Sequence, residues 1–214
     1  MLLDPKSPRP VCKQCLRSPN ACICRWVTPV VHVTEVLILQ HPLEVLHPKN
    51  SGRLLHLSLA NSRLLVGESL PADAWDLALE ATKYTMLLYP PATTTETMPT
   101  PTPAPLQMQD PAHLRLVVID ATWRKSRKML HLNPVLQQLP RLALDTAPSS
   151  RYRIRKAHKP GQLSTLEATC AALMQLGGDV AAFESLLNAF DGFVEQQARF
   201  SHPQLQRSQE TVPR

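Results

Sequence analysis

The sequence lacks any apolar run long enough to cross a membrane, which takes about 20 consecutive residues. Its first eleven residues, M-L-L-D-P-K-S-P-R-P-V, also lack the charged start and apolar stretch of a secretory signal. These absences argue against an exported or membrane-spanning protein. We therefore expect a cytoplasmic protein that has no membrane partner.

Glycine-rich phosphate-binding motifs are missing as well. Neither G-x-G-x-x-G nor the P-loop pattern G-x-x-x-x-G-K-[ST] occurs in this chain, which has only 6 glycines. Both motifs work by letting backbone N–H groups approach a phosphate closely. The sequence therefore argues against a nucleotide phosphate site of the familiar kind.

Aromatic residues are scarce at 5%, whereas proline is abundant, with 21 residues among 214. Many of the prolines fall near the N-terminus and in the Thr/Pro-rich segment at residues 91 to 111. A segment of that composition cannot bury enough apolar surface to order itself. We predict a long flexible insertion there.

The charge balance is mildly basic, with 23 Lys and Arg against 17 Asp and Glu, a net charge of +6 and a pI of about 9.3. Such a balance is compatible with a nucleic-acid partner but does not require one. A protein whose cationic face is simply solvated would have the same composition.

Four of the five cysteines lie close together, at Cys12, Cys15, Cys22 and Cys24, in the pattern C-x2-C-x6-C-x-C. In a reducing compartment thiolates bind metal more readily than they pair. Four such ligands suit tetrahedral Zn²⁺ and leave no open position for catalysis, so a structural zinc site is predicted. An iron–sulfur cluster or disulfides would use the same residues. Cys170, in a helical segment, is expected to be a small buried hydrophobe.

Strands and helices alternate along the rest of the chain. Apolar runs at 33–40, 84–90 and 114–120 predict buried strands, and segments with helical periodicity separate them. This alternation predicts an α/β fold with a mostly parallel sheet over residues 28 to 214. The cysteine knuckle at residues 1 to 27 precedes it.

Helix ends are marked by their own signals. Ser164 and Glu167 form an S-x-x-E capping box, and Ser51 is a candidate N-cap for the helix that follows it. A last helix is predicted from about Val180 to Arg199. One of its faces carries Phe183, Leu187, Phe190 and Val194.

A strand runs directly into a helix in V-V-I-D-A-T-W-R-K-S-R-K-M-L, residues 117 to 130. The junction carries Asp120, Thr122 and Trp123. Ligands of parallel α/β sheets bind outside the carboxyl ends of the strands, so these side chains are candidates for chemistry. Simpler interpretations remain open, since Asp is a common N-cap and Trp a common core residue.

Two basic segments are candidates for contacts with RNA. At 100° per residue, the helix after Trp123 places Arg124, Lys125, Arg127 and Lys128 on one arc of about 160°. Cations near a helix N-terminus oppose the macrodipole, which favours a phosphate partner as the explanation. The second segment is a loop that interleaves cations with an aromatic residue, as RNA contacts often do. Its candidates are Arg151, Tyr152, Arg153, Arg155 and Lys156.

A polar segment, Q-H-P-L-E-V-L-H-P-K-N-S-G-R, follows the first strand. His41, Glu44, Asn50 and Arg53 are expected to line a pocket or to bridge loops. The spacing of the histidines and the glutamate gives little support to a metal site.

Three motifs occur together in the order H-P-x-E with N-S-G-R, then D-A-T-W, then S-R-Y-R-I-R-K-x-x-K-P-x-x-L-S-T-L-E-A. With the cysteine pattern they closely resemble the DTW-domain family, whose D-x-T-W motif is matched by Asp120, Thr122 and Trp123. The resemblance extends from Cys12 to about residue 200. The small size of the chain resembles that of the bacterial members, which act on the variable loop of tRNA.

The resemblance implies a tRNA-uridine aminocarboxypropyltransferase, an enzyme that moves the 3-amino-3-carboxypropyl group of S-adenosylmethionine to N3 of a tRNA uridine. It also implies a SPOUT-like sheet with a C-terminal trefoil knot, a topology that periodicity could not suggest. Proteins similar to the SPOUT class are often dimers, so a homodimer is one expectation.

The implied catalytic residues are Asp120, Thr122 and Trp123, with Asp120 as the general base for the uridine N3 proton. The implied donor site is formed by the loops of the knot. Its residues are Leu88, Tyr89, Pro90, Asp120, Ala121, Leu163, Ser164, Thr165, Leu166 and Glu167.

Two other functions stay open. An S-adenosylmethionine-dependent RNA methyltransferase would use the same pocket, because the two reactions differ only in which carbon beside the sulfonium is attacked. A non-catalytic zinc-containing tRNA-binding module would have the same cysteines and cations.

Overall fold

A five-stranded sheet, with every pair of neighbouring strands parallel, forms the centre of the computed structural model. The residues it describes are 10–79, 82–91, 110–146, 148–154 and 162–201. The strands are β1 (Glu35–Gln40), β2 (Ser62–Val66), β3 (Tyr84–Leu88), β4 (Leu114–Asp120) and β5 (Arg141–Leu142). The helices are α1 (Gly52–Ser58), α2 (Ala72–Ala78), α3 (Trp123–Leu132), α4 (Pro134–Gln137), α5 (Thr165–Gln175) and α6 (Val180–Ser201). The α/β class and the parallel sheet are thereby confirmed.

The strand order is β2-β1-β4-β3-β5, so β4 lies in the middle of the sheet. Gln40, the last residue of β1, is in register with Asp120, the last residue of β4. The two strands therefore end side by side at the same edge. Both are buried along almost their whole length, as expected for a sheet that is covered on both faces.

Helices cover the two faces of the sheet and divide the core into two clusters. Val36 and Ile38 of β1 point into a large cluster that also contains apolar residues of α1, α5 and α6. Leu37 and Leu39 point the other way, into a smaller cluster with residues of α2, α3 and α4. This alternation follows from the period of two in a β-strand.

The predicted capping box of α5 is confirmed. The Ser164 hydroxyl accepts a hydrogen bond from the Glu167 N–H at 3.2 Å, and the Glu167 carboxylate accepts one from the Ser164 N–H at 2.7 Å. The apolar face of α6 is confirmed too, because Phe183, Phe190 and Val194 are buried in the core.

Two other capping predictions are wrong. Ser51 precedes α1 but makes no side-chain cap; its hydroxyl instead accepts from the N–H of Leu166, at 3.5 Å. At α3 the cap is Thr122, whose hydroxyl accepts from the Lys125 N–H at 3.4 Å. The helix begins one residue after Thr122, which places Asp120 too early to cap it.

The cysteine knuckle packs against the larger core cluster. Cys15 and Ile23 are buried there, and Trp26 donates its indole N–H to Gln196 of α6 at 2.5 Å. The ring of Trp26 lies directly on Gly192, where an added Cβ would be 2.2 Å from Cζ3. No helix in the described ranges combines the length and the apolar character needed to cross a bilayer. The flexible loop predicted at 91 to 111 falls mostly outside the described residues, at 92–109.

We predict that Gly192→Ala lowers the free energy of unfolding by about 1–3 kcal/mol, the usual cost of overpacking. At an unobstructed helical position the same change would stabilise by about 1 kcal/mol. Here the new methyl group meets an indole that is held in place by its hydrogen bond to Gln196. Urea denaturation of the two proteins measures the difference.

The control is the same change in a Trp26→Phe background, where the shorter ring leaves room for a methyl group. Gly192→Ala should cost much less in that background. An equal cost in both backgrounds would show that contact with Trp26 is not the cause.

Candidate active site

A cavity of about 290 Å³ lies at the carboxyl ends of β3, β4 and β5, where the first turns of α3 and α5 close it. Its walls are mainly apolar. It contains most of the residues predicted for the donor site, brought together from three separate segments: Leu88, Tyr89, Pro90, Ala121, Leu163, Ser164 and Thr165. The strand-end rule for parallel sheets explains why they meet.

Sequence reasoning missed part of this cavity. Leu142, Ala143 and Leu144 line it from the end of β5, and Ser126 and Ala168 line it from α3 and α5. The apolar residues after Arg141 are the signal for this wall, because β5 ends at the same edge of the sheet as β3 and β4. Leu166 and Glu167 do not line the cavity; Leu166 is in the core and Glu167 closes the capping box.

An aromatic pair stands at the mouth of the cavity. Trp123 is 42% exposed, so it is not a core residue. Its ring meets that of Tyr89 edge-on, with the centroids 5.9 Å apart. Tyr89 is held by a hydrogen bond to the hydroxyl of Ser126 at 3.3 Å and by the guanidinium of Arg141, 5.3 Å from its ring centroid. The pair offers an apolar aromatic surface on which a heterocyclic base can stack.

Asp120 ends β4 beside this cavity, but its carboxylate is buried, with the residue only 2% exposed. Oδ2 accepts hydrogen bonds from the side-chain amides of Gln40, at 2.8 Å, and Asn50, at 2.7 Å. Oδ1 accepts one from the hydroxyl of Thr165, also at 2.7 Å. Three neutral donors from three different segments therefore hold this carboxylate.

Gly52 closes the space on the far side of the carboxylate. A Cβ at this position would lie 2.3 Å from Oδ2 of Asp120, so only glycine allows α1 to approach so closely. Among the described residues, the cavity wall includes Ala121 and Thr165 but not Asp120. A general base must be within hydrogen-bond reach of the proton that it removes. This geometry does not fit the expectation of a base at Asp120, which stays a prediction.

The polar residues after β1 are expected to line a pocket or to bridge loops, and their contacts in the structure bridge loops. His41 contacts Glu68 at 3.1 Å, and Glu44, which is buried, pairs with Lys125 at 3.2 Å. Arg53 donates its Nε–H to the carbonyl oxygen of Gln14 in the knuckle at 3.0 Å. Together with Asn50 they lie behind Asp120 and fix the segment that follows β1.

The cations of α3 divide into two pairs. Lys125 pairs with Glu44, and Lys128 pairs with Glu68 at 2.9 Å, so these two cations are already paired with acids of the same chain. Arg124 and Arg127 are exposed and form no ion pair with any residue of the described ranges. Only this second pair fits the expectation of a free cationic surface.

The second basic segment is more firmly anchored than its sequence suggests. Arg151 binds Glu184 at 2.9 Å and Asp191 at 3.3 Å, both on α6. Tyr152 is only 8% exposed and packs on Phe190 with the ring centroids 5.4 Å apart, so its ring offers no stacking surface. Of the other candidates, Arg153 is exposed, and Arg155 and Lys156 lie outside the described residues.

The four cysteine sulfurs of the knuckle lie within 4.8 Å of one another. Cys12 and Cys24 are 3.6 Å apart at Sγ, and Cys15 and Cys22 are 3.7 Å apart. Four converging sulfurs are the donor set that a tetrahedral zinc ion takes, so the residues fit a structural metal site.

The environment of the cluster acts differently on its thiols. Hydrogen bonds from the backbone of Cys15 and Gln14 lower the pKa of the Cys12 thiol to about 6. Burial raises the pKa of the Cys24 thiol. A bound cation would overcome the second effect, because a coordinating thiol is deprotonated.

Comparison with known proteins gives a consistent result. The family model described as DTW domain matches residues 9–198. A protein of Arabidopsis thaliana named tRNA-uridine aminocarboxypropyltransferase A is 29% identical over 91% of this chain and 83% of its own length. Two proteins named tRNA-uridine aminocarboxypropyltransferase 2 are each 28% identical to this chain. The match with the Drosophila melanogaster protein covers 80% of this chain and 69% of that protein. The match with the Mus musculus protein covers 84% of this chain and 60% of that protein. No solved structure matches the chain.

We predict that the purified protein carries about one zinc ion per chain, because four thiolates complete its coordination. Cys22→Ser should lose most of this metal and lower the melting temperature, since metal affinity contributes directly to folding. Elemental analysis and thermal unfolding, with and without a chelator, measure both effects.

Cys170→Ala is the matched control, because Cys170 is buried in α5 and is not one of the four converging sulfurs. It should keep its full metal content. If Cys22→Ser held as much metal as the wild type, the four-cysteine site would be wrong.

Proposed function

Because the chain belongs to the DTW-domain family, we propose that it transfers the 3-amino-3-carboxypropyl group of S-adenosylmethionine to N3 of a tRNA uridine. The observation that carries this proposal is the cavity itself. The D-A-T-W segment and the L-S-T-L-E turn both contribute to its wall, through Ala121 and Trp123 and through Ser164 and Thr165. The hydrogen bond from Thr165 to Asp120, 45 residues apart, joins the two segments. The relatives named above support the tRNA-uridine substrate.

The cavity fits the donor in size and in chemistry. Its volume of about 290 Å³ is near the lower end of ligand pockets, which start at about 300 Å³. Tyr89 and Trp123 provide the aromatic surface for the adenine. The N-terminus of α5, at Thr165, borders the cavity and favours a negative group such as the donor carboxylate.

The transfer needs an uncharged leaving group and an activated nucleophile. The donor supplies a carbon beside a sulfonium, and breaking that C–S bond releases neutral 5′-methylthioadenosine. The N3 proton of the uridine must pass to a base or to solvent water, so that the N3 electron pair forms the new C–N bond. Cations near the mouth, at Arg124 and Arg127, would stabilise the anionic uridine or hold the tRNA phosphates.

The protein would hold the two substrates in the geometry that the reaction needs. Trp123 stands at the mouth, where a uridine that has left its stack meets the donor. Thr122 would contribute as the N-cap of α3, the helix that begins at Trp123. The knuckle would hold its zinc through Cys12, Cys15, Cys22 and Cys24, and this ion has no role in the chemistry.

We also infer that the chain is SPOUT-like, with a trefoil knot formed by its C-terminal part. Two features support this topology. Strand β4 is inserted between β1 and β3, and the chain returns after β5 so that Thr165 contacts the end of β4. Under the same proposal, residues 1–27 form the knuckle and residues 28–214 form the catalytic domain. The protein would act on tRNA in the cytoplasm, and we expect it to be a homodimer.

The direct test is mass spectrometry of nucleosides from an unmodified tRNA transcript incubated with the protein and S-adenosylmethionine. We expect a uridine heavier by one aminocarboxypropyl group, together with released 5′-methylthioadenosine. A uridine heavier by a methyl group would show a methyltransferase instead. Tight tRNA binding without any modified uridine would favour the non-catalytic binding module.

We predict that Arg124→Ala and Arg127→Ala each weaken tRNA binding across tRNA sequences. Each should reduce the slope of log K against log salt by about 1, as expected for the loss of one phosphate contact. Fluorescence anisotropy with labelled tRNA at several salt concentrations measures the slopes.

Arg63→Ala is the matched control, because it removes the same charge at the opposite edge of the sheet, where Arg63 pairs with Glu35 at 2.7 Å. Its slope should stay at the wild-type value. Equal slopes for all three variants would mean that α3 does not contact tRNA.

A further inference from the structure

We propose that Asp120 is a positioning residue that acts through Thr165, rather than the group that removes the uridine proton. This inference rests on the proposed function, because it assigns a role within the same site. In this role the Asp120 carboxylate fixes the first residue of α5, and thereby the wall of the donor cavity.

The contacts of the carboxylate are those of a structural anchor. It is buried, it accepts three hydrogen bonds of 2.7 to 2.8 Å, and each donor belongs to a different segment. Gln40 ends β1, Asn50 precedes α1, and Thr165 begins α5. One side chain thus joins four parts of the chain at the edge where the cavity opens.

Thr165 is the member of this network that reaches the ligand site. It lines the cavity, and its hydroxyl points at Asp120. Its backbone position is the N1 residue of α5, directly after the capping box residue Ser164. Loss of the hydrogen bond to Asp120 would free the turn at Leu163–Thr165, which forms one side of the cavity.

Asn50 is itself hydrogen-bonded to residues other than Asp120, which fixes the orientation of its side chain. Its carbonyl oxygen accepts from the guanidinium of Arg17 at 3.0 Å, and its Oδ1 accepts from the N–H of Arg53 at 3.1 Å. Oδ1 of Asn50 also accepts from Gln40 at 3.2 Å. The amide of Asn50 is therefore oriented with its NH₂ group toward Asp120.

The other two roles for Asp120 fit the geometry less well. The cap of α3 is Thr122. A base would need access to the uridine. The Asp120 carboxylate is instead enclosed by its three donors and by the backbone of Gly52, which cannot rotate away as a side chain could.

The first experiment measures binding of 5′-methylthioadenosine and of S-adenosylmethionine by calorimetry, without tRNA. Thr165→Val removes the hydroxyl and leaves Asp120 with one donor fewer, so it should weaken binding by about tenfold or more. Thr165→Ser restores the hydroxyl and should recover most of the affinity. Thr85→Val is the neutral control, because the hydroxyl of Thr85 in β3 donates to the carbonyl oxygen of Lys83, just before the strand, and does not line the cavity.

The second experiment exchanges the carboxylate and the amide between Asp120 and Asn50. Asp120→Asn alone keeps one oxygen to accept from Gln40 and Asn50 but turns its NH₂ group toward Thr165, whose hydroxyl can then no longer donate to residue 120, so donor binding and transfer should both fall. Adding Asn50→Asp returns a carboxylate that can accept from Gln40, from Arg53 and from the new amide. The double variant should recover part of both activities.

One outcome would overturn the positioning role of Asp120. If Asp120→Asn bound the donor as tightly as the wild type, transferred nothing, and was not rescued by Asn50→Asp, Asp120 would be the base. Should the wild type bind the donor yet modify no uridine, the proposed function would fail, and the binding series would still decide the positioning role.

Discussion

The structure of the site depends on one buried carboxylate and its three neutral donors. A buried carboxylate is costly unless hydrogen bonds satisfy it, and here Gln40, Asn50 and Thr165 do so together. Removing any one donor leaves the buried carboxylate with one hydrogen bond fewer, so the network favours a single arrangement of the strand ends and of α5. Gly52 is required at its position for the same reason, because any side chain there would occupy the carboxylate's space.

The cysteine knuckle is connected to this network by a short series of contacts. Arg17 of the knuckle donates to the carbonyl oxygens of Pro48, at 2.6 Å, and Asn50, while Arg53 donates back to Gln14. Asn50 then binds Asp120, and Asp120 binds Thr165 at the cavity. Arg17, Asn50 and Asp120 thus connect the knuckle to Thr165, so a metal bound by the four cysteines would support the cavity wall from a distance.

Local patterns predicted much of the fold, and contacts between distant segments explain what they missed. The strands and the Ser164–Glu167 box depend on neighbours in sequence, so their signals are visible in the chain. The partners of Asp120 depend on the register of β1 with β4, which joins residues 80 apart, from Gln40 to Asp120. Similarly, the sequence R-Y-R-I-R looks like a free basic loop, because nothing local reveals the acids of α6 that bind Arg151.

A crystal structure of the protein with 5′-methylthioadenosine and uridine would show whether the cavity at the ends of β3, β4 and β5 is the donor site and whether Asp120 supports its wall through Thr165. We expect the adenine against Tyr89 and Trp123, and the turn at Leu163–Thr165 along the nucleoside. Asp120 should still be bound to Gln40, Asn50 and Thr165. A carboxylate that had left Thr165 to contact the uridine N3 would contradict the positioning role. A ligand bound outside this cavity would contradict the site itself.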